Sequence, residues 1–241
     1  MPGLPLAIGH RGAAGVMPEN TMPSFEKALE LGADALEFDV ALTRDGEPVV
    51  IHDDTLDRTT DGSGTIASFT VEQLGRLDAG AWKGVPAQVP LLGQVLDAFA
   101  DRTILNLEIK RTRRRAEIVD ACAAAVAERG ALDRVVFSSF DHEALRLLRY
   151  LLPQARIGVL SNLTELPGAY RCASEIGAEN LHPPALLVTA GLLQRAHDRG
   201  LAVWAWTVND PRRIARLCAM GIDGIFSDFP DRVVAARGGR R

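Results

Sequence analysis

The sequence predicts an α/β fold: one (β/α)8 TIM barrel over residues 1–241, with a small insertion after the second strand. Three observations predict it. Short β-branched runs alternate with amphipathic helical stretches along most of the chain, the pattern of parallel strands joined by crossover helices. The units number eight in 241 residues, a length typical of such barrels. The GxGxxG fingerprint of an open, doubly wound sheet is absent after the first strand.

Leu6 to His10 reads as the first strand, and Pro23 to Leu31 as the first helix, with Phe25, Ala28 and Leu29 at helical spacing, Pro23 in the first turn and Gly32 as the stop. Ala35 to Val40 is the second strand. Thr43-Arg44-Asp45-Gly46 then carries a hairpin signal, so the apolar run Pro48 to His52 pairs antiparallel and lies outside the barrel. Asp53 to about Val89, rich in Gly, Thr, Ser and Asp, is the insertion, with small helices around Thr70 to Leu77 and Trp82, Leu74 and Leu77 as its main apolar residues. Alternation then resumes. Strands are predicted at 103–109, 134–139, 156–160, 179–182, 202–207 and 224–228, and helices at 91–100, 114–129, 141–151, 166–176, 188–199 and 210–219.

Bulk properties narrow the function. A net charge of -4 argues against nucleic acid and against stable association with anionic membranes. Cys122, Cys172 and Cys218 form no metal or disulfide pattern, which suits a reducing compartment. No basic n-region with a long apolar stretch follows Met1 and no run reaches membrane-spanning length, so the expectation is a soluble, cytoplasmic protein. The sequence leaves the oligomeric state open.

The site of such a barrel lies at the carboxyl ends of its strands. The first strand ends in His10-Arg11, the second carries Glu37 and Asp39 two apart on one face, and the strand at 103–109 ends in Glu108 and, just beyond, Lys110. Three carboxylates converging on one mouth call for a hard divalent cation, Mg2+ or Ca2+; a structural ion network with Arg11 and Lys110 is the plainer alternative. His10 and His52 reach the same mouth from two elements and can divide acid and base between them. With Arg11 and Lys110 as fixed positive charge, the set describes metal-assisted phosphoryl chemistry.

Several strings carry a further resemblance: His10-Arg11-Gly12, Pro18-Glu19-Asn20-Thr21, Glu37-Phe38-Asp39-Val40, Thr43-Arg44-Asp45-Gly46, His52-Asp53 and Arg58-Thr59-Thr60. So do Glu108-Ile109-Lys110, Ser139-Phe140, Trp206-Thr207-Val208-Asn209, Gly221-Ile222-Asp223-Gly224 and Asp228-Phe229-Pro230. In order and over nearly the whole chain, they resemble the glycerophosphodiester phosphodiesterase family. The departure at Leu91-Leu92-Gly93-Gln94, which replaces a more acidic helix start, is slight. The resemblance implies hydrolysis of a small glycerophosphodiester to sn-glycerol 3-phosphate and an alcohol. It implies one Mg2+ or Ca2+ on Glu37, Asp39 and Glu108, His10 and His52 as the acid–base pair, Arg11 and Lys110 on phosphate, and Trp206 in the glycerol pocket. Glu19 and Asn20 are expected to orient these groups or to cap the first helix; His182, at a strand end before Pro183-Pro184, is only a minor candidate for the site. His142 and His197 are expected at the surface, and Arg111 to Arg115 as a solvated helix start. The first nucleophile, water or the glycerol hydroxyl, is left open. Lysophospholipid or phosphoinositide cleavage, and a barrel that only binds a phosphorylated ligand, are the competing readings.

Overall fold

The computed structural model describes residues 3–238. Eight parallel strands close on themselves: β1 (Leu6–Gly9), β2 (Ala35–Leu42), β4 (Ile104–Ile109), β5 (Val135–Ser139), β6 (Arg156–Leu160), β7 (Asn180–His182), β8 (Ala202–Ala205) and β9 (Gly224–Ser227). β1 pairs with both β2 and β9, which makes the sheet a barrel. A further strand, β3 (Pro48–Val50), bonds to β2 antiparallel from outside, Val40 facing Val50. Gly46 in its turn has φ 86, a conformation open to glycine.

Helices α1 (Met22–Glu30), α2 (Val71–Leu74), α3 (Leu92–Phe99), α4 (Arg115–Glu128), α5 (His142–Leu151), α6 (Leu166–Ile176), α7 (Ala190–His197), α8 (Pro211–Met220) and α9 (Pro230–Gly238) follow in order. Except for the four-residue α2, they line the outside of the sheet. None is long and apolar enough to cross a membrane among the described residues. The three cysteines are buried in α4, α6 and α8.

Strand alternation sorts the side chains. Leu36, Phe38 and Val40 of β2, with Leu105, Leu107 and Ile109 of β4, pack outward under the helices in the main core. Phe25, Phe38 and Phe99 meet there edge to face, with centroids 5.8 and 5.7 Å apart. The opposite parity points into the barrel, where a separate apolar layer of Ile8, Ala35, Val136, Trp204 and Phe226 fills the interior. One inward position further along, the residues turn polar, at His10, Glu37, Asn106 and Ser138.

The interior layer is tight enough to need glycine. A Cβ on Gly158 would lie 2.3 Å from the ring of His182. That histidine is fully buried, stacked on Trp204 at 5.1 Å, and burial pushes its pKa down to about 3. It is therefore packed inside the barrel and does not line the cavity at the mouth, which settles the minor candidate that its strand end offered.

Other expectations also shift. The segment 53–89 holds one four-residue helix, α2, closed by a Thr70–Gln73 capping box, plus single 3-10 turns at Ile66–Ser68 and Ala81–Lys83. Its apolar residues form a small core of their own: Leu56, Ile66, Leu74, Ala79 and Val89 against Val49 and Ile51. Trp82 is outside that core and 45% exposed. α9 was not anticipated. The basic run is partly bonded: Arg111 reaches the Phe140 carbonyl at 3.2 Å, Arg114 the Thr43 carbonyl at 2.5 Å and Arg115 the Asp141 carboxylate at 2.6 Å. His142 is half-buried against the Leu160 carbonyl at 2.9 Å, while His197 is exposed and paired with Asp223.

Candidate active site

A cavity of about 140 Å³ opens at the carboxyl end of the barrel, and His10, Arg11, Glu37, His52, Glu108, Lys110 and Trp206 all face it. Parallel register explains the convergence. Asp39 lies opposite Glu108 and Glu37 opposite Asn106, so alternation carries the carboxylates inward at two neighbouring levels. One oxygen from each of Glu37, Asp39 and Glu108 lies within 4.8 Å of the others.

Such a cluster is electrostatically expensive without a cation. Burial, then Asp39 and Glu108, push Glu37 well above the usual carboxylate range. Burial and then Asp39 push Glu108 up to about 7. Asp39 is the exception: burial opposes its charge, yet Lys110, Arg11, His52 and a bond from Asn20 hold it below its ordinary value. Lys110 stands 3.5 Å from Asp39 and 3.4 Å from Glu108. Two lysine and arginine cations beside three carboxylates leave negative charge over. An all-oxygen donor set this close suits a hard divalent cation, so the residues present fit one.

The loop between β1 and α1 is built around strain. Among the described residues, only Arg11 (φ 52) and Asn20 (φ 56) have positive φ without being glycine. Gly12 between them has φ 82, and a Cβ there would lie 2.4 Å from Ser24. The left-handed turn at Arg11 aims its N–H at Glu37, 2.8 Å away, and its guanidinium at Glu19, 2.7 Å away. Asn20 donates to Asp39 at 2.9 Å. Glu19 and Asn20 thus bond Arg11 and Asp39; the helix cap position falls to Thr21, which makes no side-chain cap bond.

Each histidine is hinged on a carboxylate through Nδ1. His10 meets Asp228 at 2.7 Å and His52 meets Asp53 at 2.7 Å. A carboxylate acceptor requires Nδ1 to carry the proton, which leaves Nε2 of each neutral ring as the acceptor. Burial, then Arg11 and Lys110 acting against Asp39, keep His52 below its ordinary pKa. Asp228 is itself held by Asn209, whose amide donates at 2.5 Å and whose carbonyl accepts the Asp228 N–H at 2.9 Å. Asp53 is gripped by Arg58 at 2.6 Å.

These carboxylate partners were not singled out from the sequence as site residues. Asp228 falls on the inward alternation of Gly224 and Phe226, which was a usable signal. Arg58 had none beyond its motif. Trp206 donates its indole N–H to the His182 carbonyl at 2.9 Å and meets Phe140 edge to face at 5.5 Å, forming an aromatic wall of the cavity.

A sequence profile of the Glycerophosphoryl diester phosphodiesterase family matches residues 10–232. The chain is 36% identical to a glycerophosphodiester phosphodiesterase of Caldanaerobacter subterraneus subsp. tengcongensis, over 95% of this chain and 96% of the relative. It is 37% identical to one of Bacillus altitudinis, over 95% and 97%. Its fold is similar to the solved structure of an Oleispira antarctica phosphodiesterase in complex with the product sn-glycerol-3-phosphate, with TM-score 0.92, 31% identity and 98% of each chain covered.

Proposed function

The chain belongs to the glycerophosphoryl diester phosphodiesterase family, and from that premise we propose that its barrel mouth hydrolyses small glycerophosphodiesters to sn-glycerol 3-phosphate and an alcohol. The observation that carries this reading is the convergence of three mutually repelling carboxylates and two carboxylate-hinged histidines on one cavity. Binding alone needs no such acid–base pair.

Glu37, Asp39 and Glu108 would hold one Mg2+ or Ca2+, which when bound supplies Lewis-acid stabilisation of charge developing on the phosphoryl group. Arg11 and Lys110 grip the non-bridging oxygens and hold fixed positive charge beside them. His10, with Nδ1–H on Asp228, takes the proton of the attacking hydroxyl at Nε2. That hydroxyl belongs to water or to the neighbouring glycerol carbon; in the second case water opens a cyclic phosphate afterwards. His52 enters this step as the imidazolium, with Nδ1–H on Asp53 and a proton on Nε2 that it gives to the departing alkoxide; in the second half-reaction neutral His52 takes a proton from water and His10 gives back the one it took. The Trp206 face lies against the glycerol carbons. The leaving alcohol projects toward solvent; the net charge of -4 disfavours nucleic acid and stable contact with anionic membranes, and the cytoplasm is the compartment proposed for the reaction.

Release of glycerol 3-phosphate from glycerophosphocholine and glycerophosphoethanolamine tests the reading. Activity should vanish with EDTA and return with Mg2+, Ca2+ or Mn2+, and His10→Ala or His52→Ala should each lower kcat by ~10²-fold or more. Release that persists in EDTA, or a histidine variant with near-full activity, would remove the corresponding part. Activity confined to lysophospholipid would move the substrate class instead.

A further inference from the structure

Arg58 does not face the cavity and its side chain is 47% exposed, yet all three of its guanidinium nitrogens are committed. Nε and Nη2 fork onto Asp53 at 2.6 and 3.1 Å, and Nη1 and Nη2 fork onto Glu19 at 2.8 Å each. Asp53 carries the Nδ1 of His52, and Glu19 carries the guanidinium of Arg11. One exposed arginine therefore closes an unbroken chain from His52 to Arg11, across two segments 39 residues apart.

We propose that Arg58 is a positioning residue that sets the ring of His52 through Asp53 and the reach of Arg11 through Glu19. This rests on the reading that His52 and Arg11 act on the substrate phosphate.

Both ends need such an anchor. Asp53 is the residue next to His52 and follows the end of β3 without a strand of its own, so it can orient the imidazole only if something outside the pair holds it. Arg58 does this, and keeps the Asp53 carboxyl far below its usual range. Arg11 sits in a left-handed conformation, strained for a residue with a Cβ, and its side chain lies between Glu19 and Asp39. Glu19 spends both oxygens on arginine. Lysine could not replace Arg58, because a point charge cannot fork onto two carboxylates in one plane.

Exposed ion pairs add little to stability, so the loss should appear in catalysis. The test compares Arg58→Met and Arg58→Lys, in wild-type and His52→Ala backgrounds, by steady-state release of glycerol 3-phosphate from glycerophosphocholine at saturating divalent cation, with thermal melting alongside. Arg58→Met should lower kcat by about 10–100-fold and raise KM, with an unchanged melting temperature and little rescue by lysine. In the His52→Ala background the same change should alter kcat by less than about twofold, since the ring it sets is gone, while the rise in KM that comes through Glu19 and Arg11 persists. An Arg58→Met enzyme with wild-type kcat, or an equal loss in both backgrounds, overturns the proposal. The two failures are separable: an active His52→Ala variant sinks the reading of His52, whereas an inactive one beside a fully active Arg58→Met variant sinks only the positioning role.

Discussion

Glu108 illustrates how much of the site's behaviour resides in single side chains. Its carboxyl is pushed up to about 7 by burial and by Asp39, against an ordinary value near 4.5. A raised carboxyl in the folded state stabilises below the unfolded value, and that contribution is lost as pH rises through about 7. Metal-free protein should therefore lose stability from this group over that window. A divalent cation needs the ionised carboxylate, so its binding should expel protons and tighten as pH rises toward about 7, then level off. Titrating Ca2+ by calorimetry from about pH 5.5 to about pH 8 in two buffers of different ionisation enthalpy reads both affinity and proton release. A pH-independent affinity with no protons released would contradict the shifted carboxylates.

At the scale of elements, legibility followed the range of the physics. β3 was readable because Thr43 to Gly46 encodes its own turn and a connection that short permits only antiparallel pairing. The carboxylates of β2 were readable because strand parity is local. The place of His182 was not fixed by its own strand, because its packing inside the barrel depends on Trp204 and Phe226, which arrive from later strands. α9 lacked a signal because its apolar stripe is narrow, with Pro230 and Val233 the only residues it buries. The small core of 53–89 was hidden by the Gly and Asp around it. β7 supports a prediction. Neither ring nitrogen of His182 has a hydrogen-bond partner among the described residues, and its pKa is pushed down to about 3 from the ordinary 6.5. A depressed histidine contributes stability that is present above 6.5 and lost as pH falls toward 3. His182→Leu trades a stacked ring for an apolar side chain and should be about neutral at pH 7.5, then lose less stability than wild type at pH 5, as read by urea midpoints. Parallel losses in the two proteins would exclude this titration.

The whole molecule has two packed units of unequal standing, the barrel with its outer core and inner layer, and the small cluster beneath 53–89. The second is fastened to the β1–α1 loop by Arg58 on Glu19 and by Lys83 on the Ala14 and Met17 carbonyls. Few apolar contacts and an exposed ion pair should let this segment open while the barrel stays folded. Hydrogen exchange read by mass spectrometry should show peptides from 54–88 exchanging well before those of β2 and β4; exchange at a single common rate would mean one cooperative unit. The closure of β9 on β1, with Leu6 opposite Gly224 and Gly9 opposite Ser227, has a temporal meaning as well. On the ribosome, the three carboxylates and both histidines are all made by Glu108, but the hinge of His10 is translated 218 residues after it. A nascent chain that has reached Glu108 carries both imidazoles and the Asp53 partner of His52, yet lacks the Asp228 partner of His10. The aim of His10 therefore waits on a residue that is made only after β9.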